Sequence, residues 1–548
     1  MEQELHPGPE HEDFEFMEAF DGEELIPVSE PEVEPDEAFL LVVEPFVEQC
    51  FNKWLEFINH PDATVKSSNL LCDMLMENAR SAVYLAQPYL HHQQANRIES
   101  MLKFRFLPFT TEYRRRKYLQ DRGLYQKPEE YLIGVELFTH GAPQGNSIRE
   151  RRNMVAVIPI KKTLESVLSI ETLADSLVMP SDYSNVRTLC HPFAGTRAQN
   201  LLNKVGEDCL LLELYMDEFT TSCPIGNTST IYKMAAWYIR LLNFPLDMIS
   251  QLDHIMLACI AHAVDVMEDL QEIMRLILLP QLKNLETNGI TFRYQGIEKT
   301  FKVILYRISA DNLGFHQFIG FTRCFSKNNP CWMCTETAET LKTIWNLNPR
   351  KMRTREEYDR LIAAENLQHR LLYGIKTPCC LNELQYFHCM EDFSVDYMHD
   401  LHEGHFLRLI PLVVRDAIAA GYTLDVINGA IVGFGLVGSD GNNPLRPIYL
   451  SPQIPDTGDN LGGYTAKSTG VLVRLLPLML KCARIRLRTP SWNVFMKLQR
   501  IIDILYAPDV TDATIEMFDT LVKSYLKDYI AIGGKMTVKP HKLLHYKK

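Results

Sequence analysis

The sequence contains no long apolar run and no recognisable targeting signal. Within its 548 residues, no uninterrupted apolar segment approaches the roughly 18 to 20 residues that a membrane-spanning helix needs. The first eight residues, MEQELHPG, have neither the basic flank nor the apolar stretch of a secretory signal peptide. We therefore expect a protein with no membrane partner that stays inside the cell, in the nucleus or the cytoplasm.

A cysteine spacing typical of a disulfide scaffold is also lacking. The thirteen cysteines are odd in number and scattered, so we expect most of them to be reduced and buried, as in intracellular proteins. Cys331 and Cys334 are the exception, because they form a Cys-x-x-Cys pair within the segment PCWMC. That spacing is typical of half of a tetrahedral metal site.

Lysine and arginine are absent from residues 1–38, which hold fifteen Asp and Glu. The net charge of −13 is concentrated in this segment, since the other residues carry 56 basic against 54 acidic side chains. An acidic segment with several prolines cannot bury enough apolar surface to fold alone, so we predict a disordered tail. Phenylalanine and leucine interleave with the acids, which is also typical of acidic segments that bind protein partners.

Length and composition predict several domains. A chain of this length with 46% hydrophobic residues can bury a large core and should divide into two or three domains. Apolar residues recur at helical spacing between about 37 and 107, and again over most of the second half of the chain. The predicted order is a disordered tail at 1–38, a helical region at 39–110, an α/β core at 111–334, a predominantly helical insertion at 335–538 and a short histidine-containing segment at 539–548.

The α/β core is predicted from a series of strands. Leu210 to Met216 is a nearly continuous apolar run, which indicates a strand in the interior of a sheet. Further elements are predicted as strands at 154–160, 228–242, 255–262 and 300–309, a helix at 268–288 and a hairpin turning near Gly296. This order is typical of a ribonuclease-H-like core, a mixed sheet with flanking helices. No further strand ending in an acid is predicted within 335–538.

Two of these strands end in a carboxylate. Asp217 follows the buried strand, and Asp311 follows the strand at 300–309. Phosphodiester cleavage by two Mg²⁺ ions about 4 Å apart needs carboxylates at adjacent strand ends, and these two are placed for that role. An Asp at a strand end is also a common turn former, so each residue alone is compatible with a purely structural role.

The Cys-x-x-Cys pair has candidate partners at the far end of the sequence. His541 and His545 are spaced i and i+4, so on a helix both imidazoles share one face and can ligate one ion. Together with Cys331 and Cys334 they would complete a structural Cys₂His₂ zinc site closing across the predicted insertion.

A third group of ligand-type residues lies between Asp396 and His405, in the segment DYMHDLHEGH. Its His402-Glu403-Gly-His405 part is one residue short of the His-Glu-x-x-His spacing of zinc proteases, so the i, i+4 geometry fails. We interpret the segment as a helix start or as a polar network near the catalytic face, and the roles of Asp396 and His399 stay open.

A basic cluster precedes the core. Arg114, Arg115, Arg116 and Lys117 stand between two tyrosines, a composition that can grip nucleic-acid phosphates or serve as a nuclear import signal. A charged, solvated helix face is an equally good interpretation.

Several segments, in order, resemble the transposases of CACTA (En/Spm-like) DNA transposons in their animal form. The resemblance covers roughly residues 113–548. Its most specific segments are TEYRRRKY from Thr111, YMDEF from Tyr215, CPIG from Cys223, DNLGFH from Asp311, NPCWMC from Asn329, LNELQYFH from Leu381, DYMHDLHEG from Asp396 and KPHKLLHY from Lys539.

The resemblance implies an RNase-H-like fold with an Asp, Asp, Glu catalytic triad. Asp217 would be the first carboxylate and Asp311 the second, and the paired cysteines and histidines would bind zinc. The layout is similar to the catalytic subunit of the V(D)J recombinase. The implied reaction is nicking at transposon ends, followed by attack of the freed 3′-hydroxyl on target DNA by a dimer or larger assembly.

The sequence departs from the family pattern in two respects. The family's Glu lies on a helix beyond the histidine pair, whereas this sequence ends three residues after His545; Glu403 is the nearest substitute by composition. No recognisable DNA-binding module precedes the core. We therefore expect a transposase-derived protein with a catalytically inactive core. The alternatives are a partial sequence of an active, Mg²⁺-dependent transposase and a domesticated protein-interaction or DNA-binding protein.

Overall fold

The computed structural model describes most of the chain outside its first residues. The described residues are 37–58, 65–86, 96, 98, 100, 111–123, 125–142, 145–221, 233–266, 269–325, 329–450, 461 and 463–547. Almost all of the predicted acidic tail lies outside these ranges, as does Cys223, so the tail's disorder and its role in binding partners stay predictions.

The described residues form two compact units that divide after Tyr125. The first unit contains α1 (Glu37–Ile58), α2 (Val65–Ala86) and α3 (Glu112–Asp121), in agreement with the helical periodicity of this region. Phe51, Trp54 and Cys72 belong to its small core. Thr111 caps α3, because its hydroxyl accepts a hydrogen bond from the Arg114 amide at 3.3 Å.

The second unit is a mixed α/β structure. Its strands are β1 (Glu129–Ala142), β2 (Gly145–Val157), β3 (Leu210–Thr220), β4 (Lys233–Leu241), β5 (Ile255–His262), β6 (Ile290–Tyr294), β7 (Ile297–Phe301) and β8 (Val303–Ala310). The helices among and just after these strands are α4 (Ile160–Leu168), α5 (Glu171–Asp175), α6 (Thr196–Val205), α7 (Leu246–Ile249), α8 (Ala263–Val266), α9 (Leu270–Asn288) and α10 (Asn312–Phe318).

The later residues are mostly helical. They form α11 (Arg355–Ala363), α12 (Leu367–Leu372), a π-helix (Met398–His405), α13 (Phe406–Ala419), α14 (Leu424–Val432), α15 (Ala466–Cys482), α16 (Pro490–Leu505), α17 (Asp512–Ala531) and α18 (Val538–Lys542). Within the described ranges, none of the helices combines the length and the apolar character that crossing a bilayer requires.

The main sheet has the order β1-β2-β5-β4-β3-β8. Its pairs are antiparallel except for β3 and β8, which run parallel. Residues 210–214 of β3 are all buried, as the continuous apolar run predicts for an interior strand. β6 and β7 form the predicted hairpin, and α9 packs against β8.

One buried carboxylate fixes the centre of the sheet. Glu213 on β3 is 2% exposed and pairs with Arg240 on β4 and with Arg307 on β8, the latter at 3.0 Å. Burial opposes its ionisation, but the two guanidinium groups and a hydrogen bond from Ser309 outweigh burial and lower its pKa. The pairing ties three strands together immediately before the residues of the candidate site.

The second unit has two hydrophobic cores. The first draws its buried residues from Val155 to Met390, and the second from Leu401 to Leu544. The sheet and its flanking helices belong to the first core, whereas α13 to α17 contribute to the second. The change from one core to the other falls at the start of the π-helix.

Some predicted boundaries are wrong for local reasons. Within the predicted helical insertion, residues 356–372 form two helices and not one, because Glu365 has a left-handed φ of 49° and the Asn366 side chain caps the second helix. The strand predicted at 154–160 ends at Val157, since Ile160 already begins α4. Leu401, an apolar residue of the same insertion, lies inside the π-helix, and the regular α-helix begins only at Phe406.

Candidate metal centre and carboxylate edge

The structure brings the two predicted aspartates to neighbouring positions. β3 and β8 are parallel, and their last registered pair is Met216 with Ala310. Asp311 follows that pair at the end of β8, and Asp217 follows it on β3, so the two aspartates occupy equivalent positions on neighbouring strands. The prediction that the first strand ends at Asp217 is wrong, because β3 continues to Thr220 and pairs Asp217 with Ala236 of β4. Asp311 also caps α10, since its Oδ1 accepts a hydrogen bond from the Gly314 amide at 2.5 Å.

A third acid belongs to the same edge, although no acid-tipped strand is predicted there from the sequence. Ile308 of β8 forms a parallel bridge with Phe393, and main-chain hydrogen bonds of 3.1 and 3.0 Å flank the bridge. Asp311 and Asp396 each lie three residues beyond this pair. We call this side of the sheet the carboxylate edge; it contains Asp217 near the end of β3, Asp311 directly after β8 and Asp396 after the short rung.

The pKa of Tyr215 responds to all three acids of the carboxylate edge. Burial raises the pKa of its phenol, and the charge of Asp217 raises it further through proximity and a hydrogen bond. Asp396 and Asp311 add to the same effect. All three carboxylates therefore act electrostatically on a single hydroxyl group.

His399 links two acids at this edge. Its Nδ1 is hydrogen-bonded to Asp396, and its Nε2 lies 3.6 Å from Glu403. The bond to Asp396 raises the pKa of His399, and the charges of Glu403 and Asp311 add to it. Burial opposes ionisation of Asp396, but hydrogen bonds from His399 outweigh burial and lower its pKa. Glu403 is therefore linked to the carboxylate edge through His399.

His402 and His405 contact different neighbours, which agrees with the spacing argument against a zinc protease motif. The His402 ring bonds to the Ala466 carbonyl at 3.0 Å and to the Tyr506 hydroxyl at 3.1 Å. His405 is buried and bonds to the hydroxyl of Tyr525, and burial lowers its pKa to about 3. Two imidazoles engaged in this way cannot share an ion.

The four predicted cysteine and histidine ligands come together, although the two pairs are two hundred residues apart in sequence. We call Cys331, Cys334, His541 and His545 the Cys/His cluster. Their ligand atoms all lie within 4.8 Å of one another, and all four residues are buried. Among the described residues this is the one group of three or more Cys, His, Asp or Glu whose ligand atoms already converge closely enough to hold a metal ion, and the three acids of the carboxylate edge do not converge in this way.

Distances within the cluster are short. Cys334 Sγ lies 3.2 Å from His541 Nε2, and Cys331 Sγ lies 3.8 Å from His545 Nε2. The two Nε2 atoms are 3.1 Å apart, and the Nδ1 atoms of both rings have no hydrogen-bond partner among the described residues. The two imidazoles therefore turn the same ring nitrogen toward the same point.

The surroundings favour the thiolate form of Cys331. Burial raises the pKa of Cys331, but hydrogen bonding with Cys334 and the nearby imidazoles outweigh burial, so its pKa lies well below the usual range. The pKa of Cys334 is raised instead, chiefly because its thiol is hydrogen-bonded to Cys331. Arg353 donates hydrogen bonds to the carbonyls of Cys331 and Cys334 at 3.2 and 3.1 Å. These bonds hold the Cys331–Cys334 turn, which we call the knuckle, closed beside a positive charge.

The four basic side chains on α3 differ in their exposure to solvent. Arg115 is 6% exposed and lies beside Cys72, whose pKa it lowers against the larger effect of burial. It is therefore not available as a surface phosphate contact, contrary to the prediction. Arg116 and Lys117 are exposed and Arg114 is half-buried, and their role in binding nucleic acid stays a prediction.

The chain matches no protein-family model, and a search of curated proteins finds no match either.

Proposed function

We propose that this chain is a transposase-derived, DNA-binding protein with an RNase-H-like nuclease core. The observation that carries the proposal is the equivalent position of Asp217 and Asp311, each directly after the last registered pair of two parallel strands. The strand order supports it, because an antiparallel series β5-β4-β3 is followed by the parallel strand β8 and the parallel rung at Phe393.

The carboxylate edge is proposed to bind Mg²⁺. Carboxylate oxygens are the ligands that Mg²⁺ prefers, with water and phosphate oxygens completing its shell. When bound, such ions would bring a DNA phosphate to the edge and neutralise its charge. Asp217 is exposed and Asp311 is half-buried, so both remain open to solvent and to a nucleic-acid backbone.

The Cys/His cluster is proposed to bind zinc as a structural ion. Bond lengths of about 2.3 Å to sulfur and 2.05 Å to nitrogen in a tetrahedron imply S···N distances of about 3.6 Å and N···N of about 3.3 Å. The distances of 3.2, 3.8 and 3.1 Å lie around these values. Four buried N and S ligands match a closed structural site rather than a catalytic one.

Two candidate activities follow from this assignment. The first is cation-dependent DNA binding without cleavage, because two carboxylates alone leave a two-metal site short of ligands. The second is Mg²⁺-dependent strand nicking, which Asp396 favours, since it would add a third carboxylate from the adjacent rung.

The test measures DNA binding and plasmid nicking with Mg²⁺ or Mn²⁺. Both candidates predict cation-dependent binding that Asp217→Asn and Asp311→Asn weaken at least tenfold. Glu218→Gln is the control, because Glu218 lies beside Asp217 but pairs with Lys233. Nicking that Asp396→Asn abolishes would select the second candidate, and binding without nicking would select the first. DNA binding indifferent to cations and to both asparagine variants would refute the proposal.

A further inference from the structure

Asp400 is fully buried and belongs to a polar network that links the Cys/His cluster to the carboxylate edge. Its Oδ1 accepts a hydrogen bond from Asn312 Nδ2 at 2.9 Å, and its Oδ2 accepts one from the Tyr546 hydroxyl at 3.0 Å. Lys542 Nζ lies 3.5 Å from Oδ1, and both charged side chains are 0% exposed. We call Asp400, Asn312, Lys542 and Tyr546 the Asp400 network.

One short segment serves the network and the Cys/His cluster. His541 and His545 face the cysteines, while the residue after each of them, Lys542 and Tyr546, faces Asp400. The Lys542 ammonium also lies 3.6 Å from the ring centre of Trp332, inside the Cys-x-x-Cys knuckle. The metal ligands and the partners of Asp400 are thus adjacent in sequence, at 541 and 542 and again at 545 and 546, so moving one set moves the other.

The other end of the network reaches the carboxylate edge. Asn312 is the first residue of α10 and follows Asp311 directly. The main-chain carbonyl of Asp311 accepts the Phe315 amide at 2.8 Å, and its Oδ1 accepts the Gly314 amide. Because α10 has only seven residues, its first turn has little intrinsic stability, and a bond that fixes Asn312 also fixes the direction of Asp311.

We propose that Asp400 is a positioning residue that couples metal occupancy of the Cys/His cluster to the position of Asp311. With the metal bound, the segment from His541 to Tyr546 is held against the knuckle, and Tyr546 and Lys542 hold Asp400 against Asn312. Without it, both partners of Asp400 are released together and the start of α10 loses its anchor. The cation affinity of the carboxylate edge follows from this coupling, and that part rests on the function proposed above.

A purely structural role for the network has different consequences. A buried ion pair is by itself weak evidence for stability, and losing one would loosen the second core as a whole. Coupling instead predicts a local change at α10 that depends on metal occupancy.

The test is hydrogen exchange of the full zinc-loaded chain, before and after zinc is removed with a neutral chelator. The Gly314 and Phe315 amides are the reporters, because both bond to Asp311. We expect zinc removal to speed exchange of the peptide covering 312–318 at least tenfold. In zinc-loaded protein, Tyr546→Phe should speed it several-fold, and Asp400→Asn should do so more strongly.

Tyr525→Phe is the matched control. Tyr525 is fully buried whereas Tyr546 is half-buried, but Tyr525→Phe likewise removes one hydroxyl bond, here to His405, and Tyr525 lies outside the network. The proposal would be overturned by an exchange rate at 312–318 that does not change on zinc removal. It would also be overturned if Tyr525→Phe and Tyr546→Phe changed that rate equally. Tyr546→Phe keeps the test usable if Asp400→Asn does not fold.

A second readout separates this proposal from the proposed function. Manganese titration should show weaker binding in zinc-loaded Tyr546→Phe than in Tyr525→Phe, and Asp217→Asn should remove that binding. If Asp217→Asn leaves the manganese affinity unchanged, the cation site is refuted, while the exchange experiment would still decide the coupling. Equal manganese affinity in the two tyrosine variants, with binding that does depend on Asp217, would overturn the coupling.

Discussion

At the scale of single residues, the Cys/His cluster makes the sharpest prediction. Cys331→Ser and His541→Ala each remove one of four ligands from a closed site, so we expect bound zinc to fall from about one ion per chain to near zero. Metal analysis of purified protein measures this. Cys380→Ser is the control, because Cys380 is equally buried in the same core but lies outside the cluster. Unchanged zinc content in both ligand variants would refute the site.

His399 gives a prediction that depends on pH. Its pKa is raised from 6.5 chiefly by Asp396, so its contribution to stability is complete below 6.5 and is lost as the pH rises through the raised pKa. The pKa of Asp396 is lowered from 3.8, so its contribution is complete above 3.8 and is lost in more acidic solution. The charged pair is therefore intact near pH 6.

We expect His399→Gln to reduce the free energy of unfolding by about 1 to 2 kcal/mol at pH 6. The loss should be smaller at a second pH well above the raised pKa, where His399 of the unaltered chain has lost its proton. Urea unfolding at the two pH values measures the difference. An equal loss at both would mean that the imidazole stabilises the edge by packing and not by charge.

At the scale of elements, the π-helix and α18 meet at a glycine. A Cβ added at Gly404 would lie 2.4 Å from Lys539 Cδ and 2.9 Å from the His399 carbonyl oxygen. We expect Gly404→Ala to destabilise the protein by about 1 to 3 kcal/mol, as overpacking does, and to weaken zinc binding by displacing the segment that carries His541.

Gly429 in α14 is the matched control, because an added Cβ there meets nothing within 4 Å. Gly429→Ala should be neutral or stabilising by up to about 1 kcal/mol, as alanine is in a helix interior. Thermal unfolding and zinc content of the two variants measure both effects. Similar behaviour of the two would show that α18 can move away from the π-helix at no cost.

The elements also show what the sequence can and cannot predict. The long apolar run of β3 and the strand before Asp311 are local signals, and both lead to the observed neighbouring positions of Asp217 and Asp311, although β3 runs on to Thr220. The i, i+4 histidines likewise predict the Cys/His cluster. The rung that brings in Asp396 was missed because it is a single bridge at Phe393, although alternation of Phe393 and Val395 before the acid is a weak strand signal.

Other features depend on contacts between distant residues. Nothing near Arg115 in the sequence indicates that it turns toward Cys72, and nothing near Asp400 indicates its partners at 542 and 546. Tertiary packing decides which of four adjacent cations is buried and which buried acid is paired. Such pairings become predictable only after the helices and the sheet have been placed.

At the scale of the whole molecule, the Cys/His cluster joins the two hydrophobic cores of the second unit. Cys331 and Cys334 belong to the first core, whereas Leu543 and Leu544, between the two histidines, belong to the second. A zinc ion bound here would cross-link the cores, and its binding free energy would add to the free energy of unfolding. Without zinc, each core would have to be stable largely by itself.

We therefore expect calorimetry of the zinc-loaded chain to show one transition for the second unit, and the chelated chain to show two, with the earlier one at a lower temperature. Adding zinc back should restore the single transition in the unaltered chain but not in Cys331→Ser, which separates loss of the ion from damage by the chelator. An unchanged transition after chelation would mean that packing between the π-helix, α18 and the knuckle joins the cores without metal. The cluster would then be a consequence of that packing rather than its cause.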